Sequence, residues 1–133
     1  MKFLKRIFGI CETPLPVNAD AWTVESGSVR IDLARMSELT PTGSGVRLEG
    51  SGLDPRLLVF HGDDDRYYAV ANRCTHMGRR IDTIAGSGTI QCCSVSKSTF
   101  TYDGSPVGGA AKTPLKTYPV ELEGETLTIQ LNP

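Results

Sequence analysis

Residues 72–100 read NRCTHMGRRIDTIAGSGTIQCCSVSKSTF, and they carry three of the chain's four Cys and one of its two His. Cys74 and His76 are separated by one residue, so a thiolate and an imidazole can face one point on a tight loop. Gly78 supplies the backbone freedom that such a loop needs. The second group, Cys92-Cys93-Ser94-Val95-Ser96-Lys97-Ser98-Thr99-Phe100, leads into a turn signal at Asp103-Gly104. Thiolate and imidazole donors on two loops at one end of a domain are the ligand types that zinc and iron–sulfur centres select.

Outward from these loops the pattern is of short strands. Residues 57–61 and 66–71 flank Gly62-Asp63-Asp64-Asp65, which predicts a hairpin with an acidic tip. Val29, Ile31 and Leu33 alternate with polar residues, and residues 46–48 and 89–92 are further strand candidates. Residues 36–45 read as a turn with one helical turn. Residues 100–107 fold around Asp103-Gly104. Tyr118, Val120 and Leu122 alternate, Glu123-Gly124-Glu125 turns, and Leu127, Ile129 and Leu131 alternate again. Period-two alternation marks half-buried strands, so the expected fold class is all-β, an antiparallel sandwich or barrel.

The two loops resemble those of Rieske-type [2Fe-2S] ferredoxin domains. That family carries Cys-x-His-x-Gly on one loop and Cys-x-x-His-Gly on a second, then an aromatic residue, a turn and a Gly/Pro-rich covering loop. Residues 72–78 are similar to the first loop without alteration. Counting back from Phe100, Cys93 takes the second Cys position, Ser96 stands where the second His belongs, and Lys97 where the usual Gly belongs. Residues 108–114, GGAAKTP, resemble the covering loop, and residues 115–129 the closing hairpin. The resemblance implies a cluster-binding subdomain inserted into the sandwich, with loops at about residues 72–114. It implies Cys74, His76, Cys93 and Ser96 as ligands, Cys92 as a substitute for the fourth, and Ser98 as a hydrogen-bonding neighbour of the cluster. The extra loop-to-loop disulfide of respiratory Rieske proteins is not implied, because Arg79 and Val95 stand at its two positions.

Ser96 changes the chemistry. Two thiolates on one iron and two imidazoles on the other raise the potential of a Rieske centre. Serine can ligate only as an alkoxide, which makes a more labile and lower-potential site. Three readings stay open: a [2Fe-2S] cluster on this altered set, a zinc ion on Cys74, His76 and Cys93 with water in the fourth position, or no metal, with the fold serving as an interaction module. No nucleophile–base pair is visible, so no catalytic residue is expected. The implied role is a ferredoxin-like electron carrier that works with a reductase or oxygenase.

The 133 residues suit one domain, with residues 1–21 as an N-terminal segment and linker and residues 22–133 as the folded unit. A net charge of -1 gives no electrostatic case for nucleic acid. No stretch is long enough to span a membrane, and Lys5-Arg6 interrupts the apolar start, which argues against a signal peptide. On a helix, Phe3, Leu4, Ile7, Phe8 and Cys11 share one face, which reads as a helix docked on its own domain or as a peripheral membrane contact. Adjacent Cys92 and Cys93 suit thiols or metal ligands better than a two-bridge scaffold, so a cytoplasmic setting is expected. Arg79-Arg80 reads as a docking pair for an acidic partner or as plain solvated surface.

Overall fold

The computed structural model describes residues 11–76, 78–93 and 97–132; the amphipathic start, Met77 and Ser96 lie outside them. β1 (Trp22–Glu25) and β2 (Ser28–Asp32) form a hairpin over a Ser26-Gly27 turn, both residues at positive φ (44° and 80°). After two short 3-10 turns the chain enters β3 (Gly45–Leu48), β4 (Leu57–His61) and β5 (Tyr67–Ala71), paired antiparallel in sequence order. β6 (Ile81–Ile84), β7 (Thr89–Cys92), β8 (Thr99–Thr101) and β9 (Pro106–Gly108) form a meander. β10 (Thr117–Tyr118) then pairs with β5, while β11 (Val120–Glu123) and β12 (Thr126–Gln130) return beside β2.

The result is three antiparallel sheets, ordered β1-β2-β12-β11, β10-β5-β4-β3 and β6-β7-β8-β9. The expected fold class is the observed one, and the third sheet is the insertion, placed between β5 and β10. All of β4 is buried, which explains its unbroken apolar run. Leu57 and Val59 face a core shared with Trp22, Ile31, Leu127 and Ile129. Leu58 and Phe60 face a second core shared with Ile81, Ile90 and Phe100 of the insertion. One strand thus fastens the sandwich to the site-bearing sheet. Pro119 has no N–H to donate to a ladder, and it stands where the chain leaves the second sheet for the first.

Three details differ from the sequence reading. β1 and β6 were not expected, because each is four residues long with only a partial alternation. Leu33 opens a 3-10 turn rather than ending a strand, because the Asp32 side chain accepts from Ala34 N and caps it. The Pro-broken stretch after Cys11 begins as a strap on the domain: Pro14 O accepts from Arg47 N (2.9 Å) and Thr13 is buried. Among the described residues no helix is long and apolar enough to cross a membrane.

Candidate metal centre

The first loop is closed by its own backbone. Gly78 N donates to Cys74 O and Cys74 N donates to Arg79 O, both at 2.7 Å. Gly78 sits at φ 72°, the left-handed region where a side chain is strained. Arg56 spans the ends of this loop: its Nε donates to Asn72 O (2.7 Å) and its Nη2 to Gly78 O (2.9 Å). Asn72 is fully buried, and its Oδ1 accepts from Ile81 N at 2.7 Å, tying the loop to β6.

The second loop is laid against the first. Cys93 N donates to Arg80 O at 3.0 Å, so Cys74 and Cys93 bind the backbone of consecutive residues, Arg79 and Arg80. Lys97, at the position where the family has Gly, holds φ 52°. That is the left-handed region, which favours glycine. The covering loop is clasped from both sides. Thr75 Oγ1 donates to Thr113 O (2.6 Å), and the buried Ser98 Oγ accepts from Ala111 N (3.1 Å). A Cβ on Gly109 (φ 75°) would stand 2.5 Å from Ser98 Cα, so only glycine permits this approach.

The cysteines divide by strand alternation. Cys92 points with Ile90 into the second core, where Cys74 also packs. Cys93 points the other way and is bonded to Cys11 in a disulfide, with a Cα–Cα separation of 5.2 Å. The Asp82 carboxylate joins them: Cys11, Asp82 and Cys93 are the described donors whose ligand atoms all lie within 4.8 Å of one another. Asp82 also accepts from Glu12 N (2.9 Å), Thr13 N (2.8 Å) and Thr13 Oγ1 (2.5 Å). Cys74 is buried and His76 is exposed; neither belongs to that group of mutually close donors. His61 is held elsewhere, its Nδ1 at 2.8 Å from Thr40 O and its Nε2 at 2.6 Å from Asp65 Oδ1.

Arg80 is engaged as well. Its guanidinium donates through Nε and Nη2 to the two carboxylate oxygens of Glu49, at 2.5 and 2.9 Å. That hydrogen bond, first among the causes, holds the Glu49 carboxyl below its ordinary range. Of the Arg79-Arg80 pair, Arg80 is therefore committed to fixing the first loop's exit against the end of β3.

Sequence reasoning missed Cys11, Asp82 and Arg56. Cys11 and Cys93 are 82 residues apart, and nothing local joins them. Arg56 and Asp82 are single charged residues in turn and strand with no motif of their own. The sequence reading puts Cys11 on the apolar face of the N-terminal segment, or at a site completed from another chain, and not beside Cys93 of its own chain.

Comparison with known proteins fits this geometry. The model of the Rieske [2Fe-2S] domain family matches residues 30–119, and the chain belongs to that family. Among curated proteins, none matches the chain significantly in sequence. Of solved structures, the ferredoxin of carbazole 1,9a-dioxygenase from Nocardioides aromaticivorans is similar, with 22% identity, TM-score 0.57, and coverage of 68% of this chain and 86% of that one. The plasma membrane Rieske protein PetC3 from Synechocystis is similar at 23% identity and TM-score 0.57, over 71% of this chain and 93% of that one. A ferredoxin from Sphingomonas yanoikuyae matches at 23% identity and TM-score 0.57, over 68% and 87%.

The two loops lie against each other through Cys93 N and Arg80 O, as a cluster shared between them would need, and Cys93 could join such a cluster only with the disulfide open. A sulfur covalently bonded to Cys11 cannot also act as a thiolate ligand. In the thiol form Cys74, His76 and Cys93 would be donors of the types the family's cluster takes. Ser96, the fourth, lies outside the described residues.

Proposed function

We propose that this chain is an electron-transfer component of ferredoxin type, serving a separate reductase or oxygenase, with its metal centre on Cys74, His76, Cys93 and Ser96. The observation that carries this reading is the pairing of the two loops, in which Cys74 N and Cys93 N bind the carbonyls of Arg79 and Arg80. The clasped covering loop and the outward-facing His76 support it. Asn72 Nδ2 is a buried donor with no acceptor among the described residues, two positions before Cys74; an anionic sulfur centre beside the loop would give it one. A [2Fe-2S] cluster, when bound, passes single electrons. The chain's own part is to hold the two loops in register, cover them with residues 108–114 and present the His76 edge to a partner. Its similarity to a ferredoxin of a dioxygenase system makes an oxygenase or its reductase the expected partner class. In a reducing cytoplasm the Cys11–Cys93 pair would be held as thiols and Cys93 would be available.

A second reading is favoured by the disulfide itself. With Cys93 bonded to Cys11, the chain is a cluster-free Rieske-fold interaction module. Zinc on Cys74, His76 and Cys93 is a third state open to the thiol form. Iron, acid-labile sulfide and zinc should be measured per chain after anaerobic purification with a thiol reductant present. The expected result is iron and sulfide in equal amounts, with visible absorption bleached by dithionite. Zinc alone would support the mononuclear site, and absence of all three elements would sink the electron-carrier reading.

A further inference from the structure

We infer that Cys11–Cys93 is a redox-active disulfide that withholds Cys93 from metal and is opened by a dithiol reductant attacking Cys11. The withholding role rests on reading Cys93 as a metal ligand; the disulfide couple stands on its own geometry. The bond links the strap to the start of the second loop, and its 5.2 Å Cα–Cα separation lies inside the usual disulfide range of roughly 4.4–6.8 Å.

The strap holds Cys11 in place without help from the bond. Asp82 accepts from Glu12 N, Thr13 N and Thr13 Oγ1, Arg47 Nε donates to Thr13 O at 3.1 Å, and Arg47 N donates to Pro14 O at 2.9 Å. After reduction the two thiols therefore stay side by side, a high effective concentration that lets the bond re-form. Burial makes the couple asymmetric. Cys93 is 2% exposed, whereas Cys11 is only half-buried. An incoming thiolate reaches Cys11 Sγ and forms a new S–S bond there. The Cys11–Cys93 bond breaks, and its electron pair leaves on Cys93 Sγ as thiolate. The second thiol of the reductant then attacks its own sulfur in the mixed disulfide, and Cys11 leaves as thiolate. The dithiol gives two electrons and two protons in all, and it ends as a disulfide. Attack at the accessible sulfur thus releases the cysteine that the family uses as a ligand.

The test has two readouts on the full chain. First, thiols are alkylated under denaturing conditions before and after native treatment with dithiothreitol, and peptides are mapped by mass spectrometry. A Cys11–Cys93 peptide that disappears on native reduction and returns on reoxidation is expected. Second, oxidised wild type, reduced wild type and Cys11→Ser are incubated anaerobically with iron and sulfide, and iron per chain is measured after desalting. Reduced wild type and unreduced Cys11→Ser should retain at least about tenfold more iron than oxidised wild type. Cys11→Ser keeps the strap's hydrogen bonds but loses a cross-link over 82 residues, so a thermal melt close to that of reduced wild type confirms that it is folded. A bond that is absent, or that resists dithiol in the native protein, overturns the couple. A bond that opens reversibly while neither reduced wild type nor Cys11→Ser retains iron overturns the metal-centre reading, and the withholding role with it.

Discussion

At the scale of single residues, Lys97 and Arg56 shape the backbone of the two loops from opposite sides of the stability balance, one by strain and one by hydrogen bonds. Lys97 holds φ 52°, a conformation that costs an L-residue roughly 1 kcal/mol or more. Lys97→Gly should therefore raise stability by about 0.5–1 kcal/mol, less whatever the glycine gains in unfolded-state freedom. Chemical denaturation measures this, and a loss of stability would show that the lysine side chain has contacts worth more than the strain. Arg56 donates to Asn72 O and Gly78 O across the first loop. Arg56→Ala should cost about 1.5–3 kcal/mol, the range for hydrogen bonds from a charged group, and Arg56→Lys should recover little because an ammonium cannot span both carbonyls. Faster amide exchange at Cys74 and Gly78 in the alanine variant is the local readout. A fixed spacing from Phe100 is what sets Ser96 and Lys97 at the family's ligand and glycine positions in the sequence reading; of the two, Lys97 is among the described residues. The partner of Cys11 was not legible, because a bond across 82 residues leaves no local pattern.

At the scale of elements, legibility followed periodicity. Strands β4 and β5 are mostly apolar runs on either side of the Gly62–Asp65 turn, β7 and β12 alternate, and all four lie where the pattern puts them. β6 escaped because Ile81 is its one fully buried residue; the strand is held by its ladder to β7 and by Asn72. The same alternation that defines β7 decides the chemistry at its end, since it sends Cys92 into the second core and Cys93 toward the strap. The seam between β3 and β6 is closed by Glu49 and Arg80. Arg80 lowers the Glu49 carboxyl, so this pair adds stability above the ordinary glutamate range of about 4.5, and that stability is lost as pH falls through the lowered value. Glu49→Gln should be less stable than wild type at neutral pH, with the gap closing as the solution is acidified. Melting temperatures of both proteins along a pH series check this, and a constant gap would mean that the pair acts through shape and not charge.

At the scale of the whole molecule, two cores meet across one buried strand, and the tyrosines mark the seam. Tyr68 stacks on Phe60 at 5.3 Å and lies 5.0 Å from Tyr102 of the insertion, measured between ring centroids. Tyr102 OH binds Asp63 at the hairpin tip, whose carboxylate also accepts from Gly86 N and Gly88 N, each at 3.0 Å. The acidic tip, read from sequence as the turn of a hairpin, is exposed and is also a stitch between the second and third sheets. That role was illegible because its partners are backbone amides of a distant turn. Burial, the leading cause in each case, raises the pKa of Tyr67, Tyr68, Tyr102 and Tyr118, and Tyr68, with Asp64 beside it, reaches about 12. These are all four tyrosines of the chain. A group whose folded pKa is raised stabilises the fold below its unfolded value, here about 10, and that stability is lost as pH rises toward the folded value. Absorbance at the tyrosinate band should therefore rise later with pH than it does for free tyrosine, with the Tyr68 contribution last, at about 12, and tertiary structure should be lost along with it. Tyr68→Phe should remove the latest part of that rise; a variant that titrates like wild type would place the Tyr68 ring in water and break the argument that the seam joins the two cores.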